Sequence, residues 1–165
     1  MSLQGAIQSI QDTTDRIIQV AQGLPEEVIR WKPSEDEWSI MEVLCHVAEA
    51  TPYWLKEIKQ LVEMPGTEWG RGLKHEGRLA AVAQADQRSV SDVLQEIKAS
   101  KEQVKHVLGS LREVDLKKEA PSRNPRFGTK PMQFIVDHLL VEHVDTHLKQ
   151  IKRNINAFEA RNQTI

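Results

Sequence analysis

The sequence predicts an all-α protein, a four-helix bundle with long connecting loops. Four stretches repeat apolar residues at about 100° per residue, segments rich in glycine, proline and charge separate them, and no stretch alternates as a strand would. At 165 residues the chain is expected to be a single domain, 1–165, long enough to bury a core without disulfides.

The first helix runs from Leu3 to Ala21, carried by Leu3, Ile7, Ile10, Ile17, Ile18 and Ala21, and Gly23 and Pro25 end it. The following segment, LPEEVIRWKPSEDEW, reads as a connector with one short helical turn, burying little except Trp31 and Trp38. Ser39 opens the second helix: Ser39 and Glu42 have capping-box spacing, and Trp38 and Val43 can staple across the cap. Its stripe is Ile40, Val43, Leu44, Val47, Trp54, Leu55, Ile58 and Val62. Pro52 interrupts it, which predicts a kink, or a break with Thr51 capping a continuation. Residues 63–88 form a long connection with a helical turn near Leu79 to Ala85. Ser89 and Asp92 cap the third helix, whose stripe extends from Val90 to Leu111. Residues 117–130 form another loop, and Thr129 is the expected cap of the fourth helix.

Charge and composition exclude several classes of function. The formal charge is -2, which argues against a general nucleic-acid surface. No apolar run approaches the roughly 20 residues needed to span a bilayer. Cys45, the single cysteine, has no intramolecular partner, and the opening residues lack a signal pattern, so the cytoplasm is the expected compartment. Cys45 reads as a packing residue, and His75 and His106 as surface residues.

The chemistry concentrates in Met132 to Ile151, MQFIVDHLLVEHVDTHLKQI. Ile135, Val136, Leu139, Leu140, His143, His147 and Ile151 share one face, while His138 points away. Imidazoles four residues apart are neighbours on a helix. A bare buried imidazole group costs about 1–3 kcal/mol, and a divalent ion or a hydrogen-bonded arrangement would each satisfy the pair. Val144 follows His143 where a zinc protease motif requires glutamate, so that site is excluded. The paired Glu-x-x-His motifs of a di-iron bundle are also lacking. His46 on the second helix is the best third ligand. It lies about 120° from the centre of its stripe, a flank position that ordinarily leaves a histidine partly exposed and would place a site at a cleft.

WSIMEVLCHVAEA (38–50) and HLLVEHVDTHLKQI (138–151), with the lead-in LPEEVIRWKPSEDEWSI, resemble the DinB/YfiT-like family. The resemblance implies a four-helix metalloprotein in which His46, His143 and His147 hold a divalent metal. Three histidines plus water suit zinc or nickel. It also implies a thiol-dependent S-transferase acting on a small electrophile, with a low-molecular-weight thiol as cofactor. A hydrolase-like enzyme and a non-catalytic, stress-related metal-binding module are the alternatives. A homodimer through an exposed helix face is expected. Arg123 and Arg126, with Lys130 beside them, are candidates for holding an acidic cofactor or substrate, as is the group Arg71, Lys74 and Arg78, because arginine forks match carboxylates. The default state of these loop cations is solvation. Trp54 and Trp69 could wall a cleft.

Overall fold

The computed structural model describes residues 1–161. Four long helices make the bundle: α1 (Leu3–Gln22), α3 (Ile40–Glu63), α5 (Val90–Gly109) and α8 (Glu142–Ala160). Between them lie α2 (Glu26–Arg30), α4 (Glu76–Ala83), α6 (Glu113–Leu116) and α7 (Met132–Phe134). Helix α1 packs on α5 and α8, and so does α3 on α5 and α8. The consecutive long helices α1 and α3 are therefore not principal neighbours, an arrangement that their long connector permits. No helix among the described residues is long and apolar enough to cross a membrane.

Helix starts follow local chemistry. At α3 the Ser39 hydroxyl accepts from the Glu42 N–H at 3.1 Å and the Glu42 carboxylate accepts from the Ser39 N–H at 2.9 Å, a complete capping box. Ser89 caps α5 by accepting from the Asp92 N–H at 3.1 Å. Ser2 does the same for α1.

Four details differ from the sequence reading. Helix α3 continues through Pro52 without a break, so Thr51 is not a cap. Thr129 does not cap the last helix. Instead β2 (Thr129–Pro131) pairs antiparallel with β1 (Glu119–Pro121), and the helix starts after Pro131. These two three-residue strands escape the pattern because each is too short to show alternation. The connector buries Ile29 as well as packing its tryptophans.

The last long helix is also not uniform. Between α7 and α8, residues Ile135–Val141 form a π-helical stretch, a wide turn that in other proteins is often found near functional sites. Beyond it, Val144, Leu148 and Ile151 are the buried line of α8. His143 and His147 extend the neighbouring line from Leu139 and are half-buried. The single stripe read from the sequence is thus two adjacent lines, one facing the core and one facing a cavity.

Candidate functional site

Three imidazoles from two helices meet where α3 crosses α8. His46 Nε2 lies 3.0 Å from His143 Nε2, which lies 3.1 Å from His147 Nε2. The three potential ligand atoms all fall within 4.8 Å of one another. His46 is buried, not partly exposed as its flank position suggested. Trp38, with its ring centroid 5.2 Å from the imidazole, covers it, and Arg78 in turn lies over Trp38. The connector carrying Trp38 is tied down by Asn154 of α8, which donates to the Trp38 carbonyl at 2.9 Å.

The protons in this cluster cannot be placed satisfactorily on the imidazoles alone. Nδ1 of His147 lies 2.8 Å from Oε1 of Gln150, so the proton of that ring is on Nδ1 and Nε2 carries a lone pair. His143 Nε2 must then donate to His147. A ring nitrogen that donates in its plane cannot also accept there, so the 3.0 Å contact with His46 is left without a good hydrogen bond. Nδ1 of both His46 and His143 is buried without a protein partner. An extra proton is not the remedy. Burial, then the neighbouring imidazoles, push His46 down to about 2; burial, then His147 and two arginines, push His143 down to about 3. Burial lowers His147 too, against the opposing effect of Gln150. Three neutral rings whose ligand nitrogens lie within 4.8 Å of one another could hold a cation, and two of the separations are 3.0 and 3.1 Å. Zinc–nitrogen bonds near 2.1 Å put adjacent ligand nitrogens about 3.0–3.4 Å apart for angles of 90–109°.

The cluster forms part of the wall of a cavity of about 490 Å³. Its other walls include Trp54 of α3, Leu139 of the π-helical stretch, residues 71–74, Arg78, Asn124, Arg126 and Phe127. Two loops supply most of these, and they are stitched together. Arg123 N–H donates to the Trp69 carbonyl at 2.7 Å, Trp69 N–H to the Pro121 carbonyl at 3.1 Å, and the Trp69 indole to the Ala120 carbonyl at 2.8 Å. Glu57 anchors the joined loops to α3. Its Oε1 accepts from Gly70 N–H at 2.7 Å, Arg123 Nη1 at 3.0 Å and Tyr53 Oη at 3.1 Å. Burial and the Glu57 carboxylate push the Tyr53 phenol up to about 12, keeping it a donor. Gly70 has φ +85°, and a Cβ there would stand 3.3 Å from Ser122 Oγ.

The residues singled out in the sequence divide clearly. His46, His143 and His147 come together, while His138 faces outward and pairs with Glu142 at 2.8 Å. Arg126 lines the cavity, whereas Arg123 is turned toward Glu57 and the Gly70 carbonyl. Trp54 lines the cavity, and Trp69 is buried beneath the loops. Arg71, one of the loop cations for which solvation is the default, is buried. It grips Glu49, with one contact at 2.7 Å. Gln150, Phe127 and Leu73 were not read as site residues. Only Gln150 had a usable signal, its i,i+3 spacing from His147.

Fold and site together define a helical-bundle protein with a three-histidine cluster that could hold a metal ion. The sequence pattern of the DinB superfamily spans residues 9–151, and the chain belongs to that superfamily. YuaE of Bacillus subtilis strain 168 is 30% identical over 140 residues, covering 79% of this chain and 85% of YuaE. Among solved structures, YfiT from Bacillus subtilis, described as a probable metal-dependent hydrolase with an unusual four-helix bundle topology, superposes with a TM-score of 0.83 at 12% identity. That match covers 96% of this chain and 90% of YfiT. A mycothiol-dependent maleylpyruvate isomerase gives a TM-score of 0.72 at 12% identity, covering 92% of this chain and 61% of the isomerase. At these identities the two likenesses concern the fold.

Proposed function

We propose that this protein is a divalent-metal enzyme, with zinc or nickel held by His46, His143 and His147, that transfers a low-molecular-weight thiol to a small electrophile. The observation that carries the reading is the convergence of three neutral imidazoles on one wall of a cavity with room for small organic molecules. When bound, a divalent ion there supplies Lewis acidity that favours the deprotonated form of an incoming thiol or water.

The cavity lining favours the thiol over water. No aspartate or glutamate lines it among the described residues, whereas hydrolytic zinc sites such as H-E-x-x-H provide a carboxylate base beside the metal. A thiol with a lowered pKa needs no such base. It loses its proton to solvent, its sulfur forms a bond to the electrophilic carbon, and the leaving group departs with the electron pair of the broken bond. The role of the protein is to orient: His147 is held by Gln150, and Trp54, Leu139 and Phe127 provide an apolar wall. Relatives in fold with a metal-dependent description and with a thiol-dependent one are consistent with either chemistry.

The test is a screen of zinc- and nickel-loaded protein against an aryl halide and a chromogenic ester, each with and without cysteine. Turnover of the halide that requires cysteine supports the transferase. Ester cleavage independent of thiol replaces it with the hydrolase. Stoichiometric metal without turnover of either leaves a metal-binding module.

A further inference from the structure

We infer that the cavity takes an organic anion, a small molecule with an apolar body and a carboxylate or phosphate head. The inference deepens the reading above, resting on it only in making that anion one of the two reaction partners. Lys74 and Arg78 reach the cavity from the segment after α3, and Arg126 from the loop between the strands. Ion pairing neutralises only the fourth cation of the lining, Arg71, which is committed to Glu49. None of the other three has a carboxylate partner among the described residues. Arg78 donates to the Leu73 carbonyl at 3.0 Å, and Arg126 lies 5.8 Å from the Phe127 ring centroid.

Lys74 and Arg126 have no carboxylate paired with them among the described residues, and Arg78 feels the Glu49 carboxylate only without an ion-pair contact, so an acid head placed among these cations meets a net positive charge. Guanidinium forks match carboxylate and phosphate equally well. The half-buried Asn124 adds a polar side chain to the same wall. The apolar part of the lining indicates the rest of the ligand. Leu73 is 67% exposed while lining the cavity, and with Phe127, Leu139 and Trp54 it offers an uncovered apolar surface to a hydrocarbon or aryl body.

The experiment uses chelator-treated protein, so that binding is read apart from metal chemistry. Phenylacetate, phenyl phosphate and the neutral phenylacetamide are titrated at constant ionic strength, by calorimetry and by tryptophan fluorescence, to which Trp54 contributes from the cavity wall. The anions should bind at least about tenfold more tightly than the amide, the effect expected of a single hydrogen bond to a charged group. The double variant Lys74→Gln, Arg126→Gln should lose that preference, and Lys105→Gln, on α5 away from the cavity, should keep it. Both altered side chains are exposed, and an unchanged unfolding midpoint verifies the fold of the double variant. Equal affinity for the three probes, no saturable binding, or a preference surviving in the double variant overturns the inference. Metal stoichiometry is measured separately. Metal bound without an anion preference removes this inference alone, whereas an anion preference without metal removes the proposed function and leaves the anion cavity standing.

Discussion

His147 donates its Nδ1 hydrogen to Oε1 of Gln150 across 2.8 Å, one turn further along α8. The bond fixes the tautomer and leaves a lone pair on Nε2, which lies 3.1 Å from His143 Nε2. If the cluster holds metal, Gln150→Ala should weaken zinc binding by about 10- to 100-fold, the usual cost of removing the partner that orients a ligating histidine. Competition with a chromogenic chelator measures this. Unchanged affinity would mean that the Gln150 contact does not orient a ligand.

Removing a ligating ring should have a larger effect than removing its orienting partner. His143→Ala and His147→Ala should each lose stoichiometric metal on purification, measured by elemental analysis. His138→Ala should retain it, because His138 pairs with Glu142 on the outer face. Full metal content in His143→Ala would refute the site, and loss of metal in His138→Ala would show that the helix presents a different face.

How much of this was legible in the sequence follows from where each side chain gets its constraint. The Ser39–Glu42 box and the i,i+4 pair His143 and His147 depend on neighbours in sequence, and spacing exposed them. His46 carried only a flank phase, because its burial comes from Trp38 and from Arg78, which is separated from it by a long loop. Arg126 shares a cavity with Arg71, Lys74 and Arg78 through the pairing of Trp69 with residues 120–123 and through Glu57, to which Arg123 is turned. Glu57 gives no sign of that role in an exposed-looking run such as KEIK. No residue pattern announced the π-helical turn over Ile135–Val141, so the two helical lines merged into one.

Glu57 should therefore be a stability position as well as an organiser of the cavity. Glu57→Gln removes the charge that accepts from Gly70, Arg123 and Tyr53 and should cost about 1.5–3 kcal/mol, the range for hydrogen bonds to a charged group. Urea unfolding at neutral pH measures the cost. Metal content should survive, since the histidines stand on α3 and α8 and not on the loops. A variant as stable as the native protein would show that the loops are held by their backbone bonds alone.

Asp115 should impose a pH dependence on stability that its own replacement removes. Its buried carboxylate accepts from Arg112 N–H at 2.9 Å and from the Arg112 guanidinium and Lys118 ammonium, each at 3.2 Å. The backbone bond, then the Arg112 side chain, lower its pKa from 3.8 to about 2 against the opposing effect of burial. In the unfolded chain the group protonates near 3.8, so between that value and about 2 the unfolded state binds more protons than the folded one. The contribution is complete above the unfolded value, shrinks as pH falls through this window, and is gone below the folded value. Asp115→Asn should therefore be less stable than the native protein at pH 7, and the gap between the two urea-unfolding free energies should narrow as pH falls through this window. The other carboxylates are common to both proteins, so the difference isolates this group. A gap that stays constant on acidification would show that Asp115 acts through its shape and neutral hydrogen bonds, and not through its charge.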